Sequence, residues 1–147
     1  MRISQILPTK RSDVVSVPPT AKVRGAIAIM KREHVGAVLV LDEDRRLLGV
    51  LSERDVVHSL DSEIADPFER PVSEVMRRDS PVASAQDTVQ SVMQTMTATR
   101  ARHVPILERG RVIGVVSIGD IVKSRLDEKI QENTVLQDLA RARLIAK

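Results

Sequence analysis

The chain repeats itself, and this limits its fold more than any single motif does, because similarity at a fixed offset means one supersecondary unit built twice. Val23, Ala26, Ile27 and Met30 fall at i, i+3, i+4 and i+7, and Val89, Val92, Met93 and Met96 repeat the pattern about 66 positions later. This spacing predicts two amphipathic helices, each with one buried face. Met30 and Met96 complete the apolar stripes and read as core packing. An apolar run follows each helix, residues 35–41 in the first copy and 103–107 in the second, as expected of short buried strands. Polar turns come next, at 42–45 and 108–111, and then second strands over 47–51 and 112–116. Each copy closes with a helix beginning near Ser52 or Ser117, and each opens with an extended lead-in, residues 14–17 or 81–83.

The predicted fold is therefore mixed α/β (α+β), with two β-α-β-β-α repeats. A unit of roughly 60 residues buries too little surface to be comfortable alone, so the two should pack together about a pseudo-twofold axis. Along the chain the expected division is a first unit over 1–60, a linker over 61–71, a second unit over 72–126 and a helical tail over 127–147. The linker is polar with two prolines, and its Phe68 is expected to pin it to the core. In the tail, Thr134 and Gln137 stand at capping-box spacing, which predicts a helix start near Asn133. Val135, Leu136, Leu139, Leu144 and Ile145 supply apolar surface there, for a partner subunit or for the chain's own core.

Composition excludes several functions. The chain has no cysteine, which rules out disulfides, thiol catalysis and cysteine-zinc sites and makes a reducing cytoplasm the natural setting. Residues 1–10 lack the apolar stretch of a signal peptide and no later run reaches membrane-span length, so a soluble protein with no membrane partner is expected. His34, His58 and His103 have no metal-ligand spacing, and neither a nucleophile elbow nor a phosphate loop is present. No catalytic residue, metal or catalytic cofactor is expected. Net charge is only +3, a slight attraction for anions. Phe68 is the single aromatic ring, so base stacking is almost unavailable and a nucleic-acid partner is disfavoured. A heterocycle bound here must lie against aliphatic side chains and backbone.

Two strings stand in register at the ends of the second strands, Gly49-Val50-Leu51-Ser52-Glu53-Arg54-Asp55 and Gly114-Val115-Val116-Ser117-Ile118-Gly119-Asp120. With Arg102-His103-Val104-Pro105-Ile106 they carry a family likeness. Over about residues 3–126 the chain resembles a tandem pair of CBS domains, named after cystathionine β-synthase and also called a Bateman module, in the manner of stand-alone bacterial members. The resemblance implies that Asp55 and Asp120, beside Ser52 and Ser117, accept hydrogen bonds from ribose hydroxyls. It implies an apolar adenine slot matched by Val15, Gly36, Ala37, Val82, Val104 and Pro105. Arg54, Arg102, His103, Arg77 and Lys10 are the candidates for holding phosphate.

Each assignment has a plainer counterpart. Ser-x-x-Asp at a strand-to-helix junction also suits a helix N-cap, a role compatible with ligand binding for the two serines. Solvated surface charge is the competing reading of Arg102, His103, Arg77 and Lys10. Gly49 and Gly114 are expected to permit close backbone approach. The copies differ where phosphate would sit: Arg54 faces Gly119 in the alignment, and Gly36-Ala37 faces Arg102-His103, so unequal clefts are expected. The implied function is a regulatory, non-enzymatic homodimer that senses an adenosine ligand (AMP, ADP, ATP, NAD(H) or S-adenosylmethionine) and signals to a regulated protein. A ligand-free dimerisation module or adaptor is the alternative, and nucleic-acid binding is third.

Overall fold

The computed structural model describes residues 1–7, 14–61 and 66–145, with Ile145 described for its backbone alone. The first repeat runs β1 (Ser16–Val17), α1 (Val23–Glu33), β2 (Ala37–Leu41), β3 (Leu47–Ser52) and α2 (Glu53–Ser59). The second runs β4 (Ala83–Ser84), α3 (Val89–Thr99), β5 (His103–Glu108), β6 (Arg111–Ser117) and α4 (Ile118–Ile145). Each repeat forms a three-stranded sheet, ordered β1-β2-β3 or β4-β5-β6, with its first pair parallel and its second antiparallel. This is the expected β-α-β-β-α unit, built twice. In α1 the buried residues are Val23, Ala26 and Met30, and in α3 they are Val89, Val92 and Met96, which is the face that the sequence spacing selects.

Alternation along the strands sends successive side chains to two different cores. Val38 and Val40 of β2 enter the core beneath α1 and α2, while Leu39 and Leu41 enter a separate cluster shared with Val50 and Val112. That shared cluster lies between the sheets and joins the repeats. Both second strands carry a register shift, between Val40 and Leu41 on one ladder and between Ile106 and Leu107 on the other. The extra residues are Leu48 and Ile113, because Leu41 pairs with Leu47 and Leu107 with Val112. A bulge of this kind resets the parity of the strand. Val112 and Val115 are three residues apart yet both belong to the shared cluster.

Chain order and core membership do not coincide. Ile3, in a short 3₁₀ turn, is fully buried in the core of the second repeat, and the amides of Ile3 and Ser4 donate to the carbonyls of Asp87 and Ala85 at 2.9 Å each. Val72, in the matching turn Val72–Glu74, is fully buried in the core of the first repeat, and its amide donates to the Ala21 carbonyl at 2.7 Å. The two turns are related copies: residues 3–7 read Ile-Ser-Gln-Ile-Leu and residues 72–76 read Val-Ser-Glu-Val-Met. Each repeat thus lends its leading turn to the other. Beyond the second turn, Arg77 and Val50 exchange both backbone hydrogen bonds at 2.9 Å, which extends the β3 edge.

The linker is held by charge more than by its aromatic ring. Glu69, in the turn Pro67–Glu69, pairs with Lys22 at 2.6 Å and with Arg24 at 2.5 Å, whereas Phe68 remains 38% exposed. The tail departs from expectation: α4 is one continuous helix of 28 residues, with no start near Asn133. Thr134 donates its hydroxyl to the Ile130 carbonyl at 2.9 Å, the mid-helix alternative to capping. No residue of α4 beyond Ser124 is buried among those described. Among the described residues, no helix is long and apolar enough to cross a membrane.

The two exchanged turns pass close over Gly49 and Gly114. A Cβ at Gly49 would stand 2.6 Å from Met76 Sδ and 2.9 Å from the Arg77 carbonyl oxygen, whereas one at Gly114 would stand 2.9 Å from Leu7 Cδ2. Backbone cannot yield as a leucine methyl can. Gly49→Ala is therefore expected to destabilise by about 1–3 kcal/mol and Gly114→Ala by distinctly less. Urea unfolding of the two variants checks this, and equal losses would contradict it.

Candidate functional site

The strand-to-helix junctions are built alike. Ser52 ends β3 and caps α2: its Oγ accepts from the Asp55 amide at 3.2 Å, and Asp55 Oδ2 accepts from the Ser52 amide at 2.9 Å and hydroxyl at 2.8 Å. Ser117 ends β6 and does the same for α4, with Asp120 Oδ2 accepting from the Ser117 amide at 2.9 Å and Ser117 Oγ accepting from the Asp120 amide at 3.1 Å. Both motifs are thus capping boxes with aspartate in the glutamate position. The next amide in each copy is tied to the facing strand entrance, Glu53 to the Gly36 carbonyl at 3.0 Å and Ile118 to the Arg102 carbonyl at 2.8 Å. Each carboxylate is thereby fixed at the mouth of the strand pair.

The two carboxylates differ in what remains to them. The second oxygen of Asp55 pairs with Nε of half-exposed Arg77 at 3.2 Å. Among the described residues no cation pairs with Asp120. The difference follows from the exchanged turns, because the alignment that places Val72 on Ile3 places Arg77 on Pro8. Asp55 is neutralised by Arg77, while among the described residues Asp120 keeps an acceptor oxygen.

Between the sheets lies a cleft of about 340 Å³. Val15, His34, Val35, Gly36, Ala37, Leu39 and Val50 line it from the first repeat, and His103, Pro105, Val115 and Ser117 from the second. Six of the sequence candidates therefore meet: Val15, Gly36, Ala37, His103, Pro105 and Ser117. Val104 does not join them, because strand alternation turns it into the core beneath α3, where it is fully buried. Val82 is 46% exposed and lies outside the cleft wall, as do exposed Arg54 and Arg102 and the capping residues Ser52, Asp55 and Asp120. Arg77 reaches Asp55 instead, and Lys10 lies outside the described residues. The wall residues that sequence reasoning did not name are His34, Val35, Leu39, Val50 and Val115. The pairing of Ala37 with Ser52 and of His103 with Ser117 orders these faces, and the parity of each strand was the available signal.

The wall is aliphatic, with two imidazoles and a capping serine as its polar side chains, and a flat apolar heterocycle fits such a surface. Burial holds the His103 imidazole below its ordinary value, the Asp120 carboxylate opposes that shift, and Arg102 reinforces it. Among the described residues no group of three or more His, Cys, Asp or Glu side chains could hold a metal ion.

A family model described as CBS domain matches twice, over residues 3–62 and 72–127. The "Uncharacterized 17.7 kDa protein in bps2 3'region" of Acidianus ambivalens is 31% identical over 127 residues, 86% of this chain and 74% of that protein. The crystal structure of the CBS-domain containing protein ATU1752 from Agrobacterium tumefaciens is similar at a TM-score of 0.76 and 34% identity, covering 85% of this chain and 99% of that one. The crystal structure of CBSX2 in complex with AMP shares the fold at a TM-score of 0.76 and 22% identity, over 87% of this chain and 98% of that one.

A lowered histidine value makes stability depend on pH. In the unfolded chain His103 takes up a proton near pH 6.5, but in the fold it does so only at lower pH, so acid favours unfolding across that window. The contribution is complete above about pH 6.5 and is lost as pH falls towards the folded value. Urea midpoints measured from pH 7.5 to 5.5 should decline in the parent protein, and His103→Gln should flatten that decline. Identical slopes in both would show that His103 is not the group responsible.

Proposed function

The chain belongs to the CBS domain family, which it matches twice as a tandem pair, and from that premise we propose that it is a regulatory, non-enzymatic module that binds an adenine nucleotide between its repeats. One observation carries the reading: an aliphatic cleft walled by both repeats ends at Ser117, whose amide is held by a carboxylate with an oxygen to spare. A ribose diol offers two adjacent donors to such a carboxylate, and the start of α4 favours an anion beside it. Adenine lies against Val15, Ala37 and Pro105, and the ribose reaches past Ser117 and His103 towards Asp120, whose charge His103 feels although Asp120 is not itself part of the wall. The AMP complex of CBSX2, a protein of the same fold, lends support to this choice of ligand. ADP, ATP, NAD(H) and S-adenosylmethionine share the adenosine part and compete for the same cleft. The cysteine-free chain suits a cytoplasmic setting.

In this reading the Asp120 side dominates, because Asp55 is already paired with Arg77. Ligand binding changes how the repeats sit against each other and so biases a regulated partner. We further read the molecule as a homodimer, since Ile118, Val122, Leu126 and Ile130 form an exposed ridge at four-residue spacing along α4. Light scattering should give a dimer mass, and a monomer mass across the micromolar range would rule the dimer out.

Isothermal titration is expected to show AMP binding, with GMP and CMP much weaker. Asp120→Asn retains a capping oxygen but loses the charge, and should weaken AMP by about ten- to a hundredfold, the scale of a hydrogen bond to a charged group. Asp55→Asn should weaken it much less. Melting temperature should scarcely move for Asp120→Asn. Absence of heat with every adenine nucleotide at millimolar concentration would defeat the reading and favour a ligand-free dimerisation module.

A further inference from the structure

The tips of the two β hairpins meet on the other side of the shared core. Arg46 and Arg111 form an antiparallel bridge across the repeats, the Val112 amide donates to the Arg45 carbonyl at 3.1 Å, and Arg45 Nη2 donates to the Val112 carbonyl at 3.3 Å. The cavity at this junction measures about 520 Å³ and is lined by Arg45, Arg46, Arg109 and Arg111, with Glu108 as its single carboxylate. Four guanidinium groups against one carboxylate leave +3, which equals the net charge of the whole chain. The rest of the molecule therefore balances to neutrality. Among the described residues, none of these arginines makes an ion pair, and the guanidinium groups of Arg46, Arg109 and Arg111 have no hydrogen-bond partner.

Backbone hydrogen bonds hold the tips together, but they do not require arginine at these positions. Like charges directly opposite on a ladder repel. Arg45 and Arg109 also adopt left-handed backbone, at φ +64° and +53°, where glycine or asparagine is the easier choice. Arg109 and Gly110 form a two-residue hairpin loop with both φ positive, a position that Asn or Asp usually fills. Local choices that run against stability and converge on one cavity are the mark of a functional surface.

We infer that the paired hairpin tips form a second binding site, for a short oligophosphate anion, distinct from the nucleotide cleft. The two cavities share no lining residue. Arg46 immediately precedes β3 and Ser52 ends it, about 20 Å away at the usual strand rise. Guanidinium forks match phosphate oxygens two at a time, so four of them around one cavity suit linked phosphates better than a single one. A nucleic acid fits less well, because the site has no aromatic ring on which to stack a base and forms a local pocket, not a stripe.

Titration with sodium tripolyphosphate at fixed ionic strength tests the inference. One tripolyphosphate per chain should bind, with orthophosphate about tenfold weaker or more. Arg46→Ala/Arg111→Ala should weaken tripolyphosphate at least about tenfold while leaving the AMP titration within about twofold. Arg109→Gly, which suits the left-handed backbone and keeps the turn, should weaken tripolyphosphate without lowering the melting temperature. Arg141→Ala/Arg143→Ala removes the same charge from exposed α4 and should have little effect. No binding by the parent protein, an equal loss in the α4 control, or tighter binding of a DNA duplex that the hairpin variants abolish would each overturn the proposal. The AMP titration reads the other cleft separately, so failure of one site is not failure of the other.

Discussion

Everything in this fold hangs on the close passage of two borrowed turns over two glycines. Residues 1–7 complete the second core and residues 72–77 complete the first, with Ile3 and Val72 fully buried at equivalent places. A repeat of this size has too little interior to hold itself together. By lending its leading turn across, each makes the other's core a condition of its own. The shared cluster of Leu39, Leu41, Val50 and Val112 then seals sheet against sheet. The cores are not divided as the chain is: each takes its leading turn from the segment before the other repeat.

The candidate site inherits its character from that exchange. Both Ser-x-x-Asp motifs cap helices, so capping and ligand binding are not rival accounts of the same carboxylates: one oxygen fixes the helix start and leaves the other to be disposed of. For Asp55 the borrowed turn disposes of it, through Arg77. For Asp120 the corresponding position is Pro8, which offers no charge. The difference between the two carboxylates thus comes from Arg77, a residue of another segment, and not from the motif strings themselves.

Much of this was legible in the sequence, for reasons that can be named. Helix spacing at Val23–Met30 and Val89–Met96 fixed both buried faces, and the duplicated motif located both capping boxes. The borrowed turns escaped notice because they recur at an offset of 69 while the helices recur at 66, and the intervening residues hide the match. Val104 was grouped with the cleft because a motif is read as a string, whereas a strand alternates, and its neighbours His103 and Pro105 take the other face. The start expected at Asn133 failed because a helix already running accepts threonine without a break, its hydroxyl bonding back one turn. The arginine cavity was invisible, since its four members come from two hairpins and meet only when the sheets pack.

The unbroken course of α4 gives the cleft mechanical reach. The helix begins one residue beyond Ser117, which lines the cleft, and runs for 28 residues, about 40 Å at the usual rise, with nothing buried past Ser124 among the residues described. Among the described residues, its buried contacts within the chain are confined to its first two turns, at Ile121 and Ser124. A rotation of that first turn by about 5° would sweep the far end through roughly 3 Å, with no change in the helix itself. A displacement too small to rebuild the site thus becomes, at the tip, a stroke comparable to the width of an atom, and α4 has the geometry of a lever whose fulcrum is the junction at Ser117.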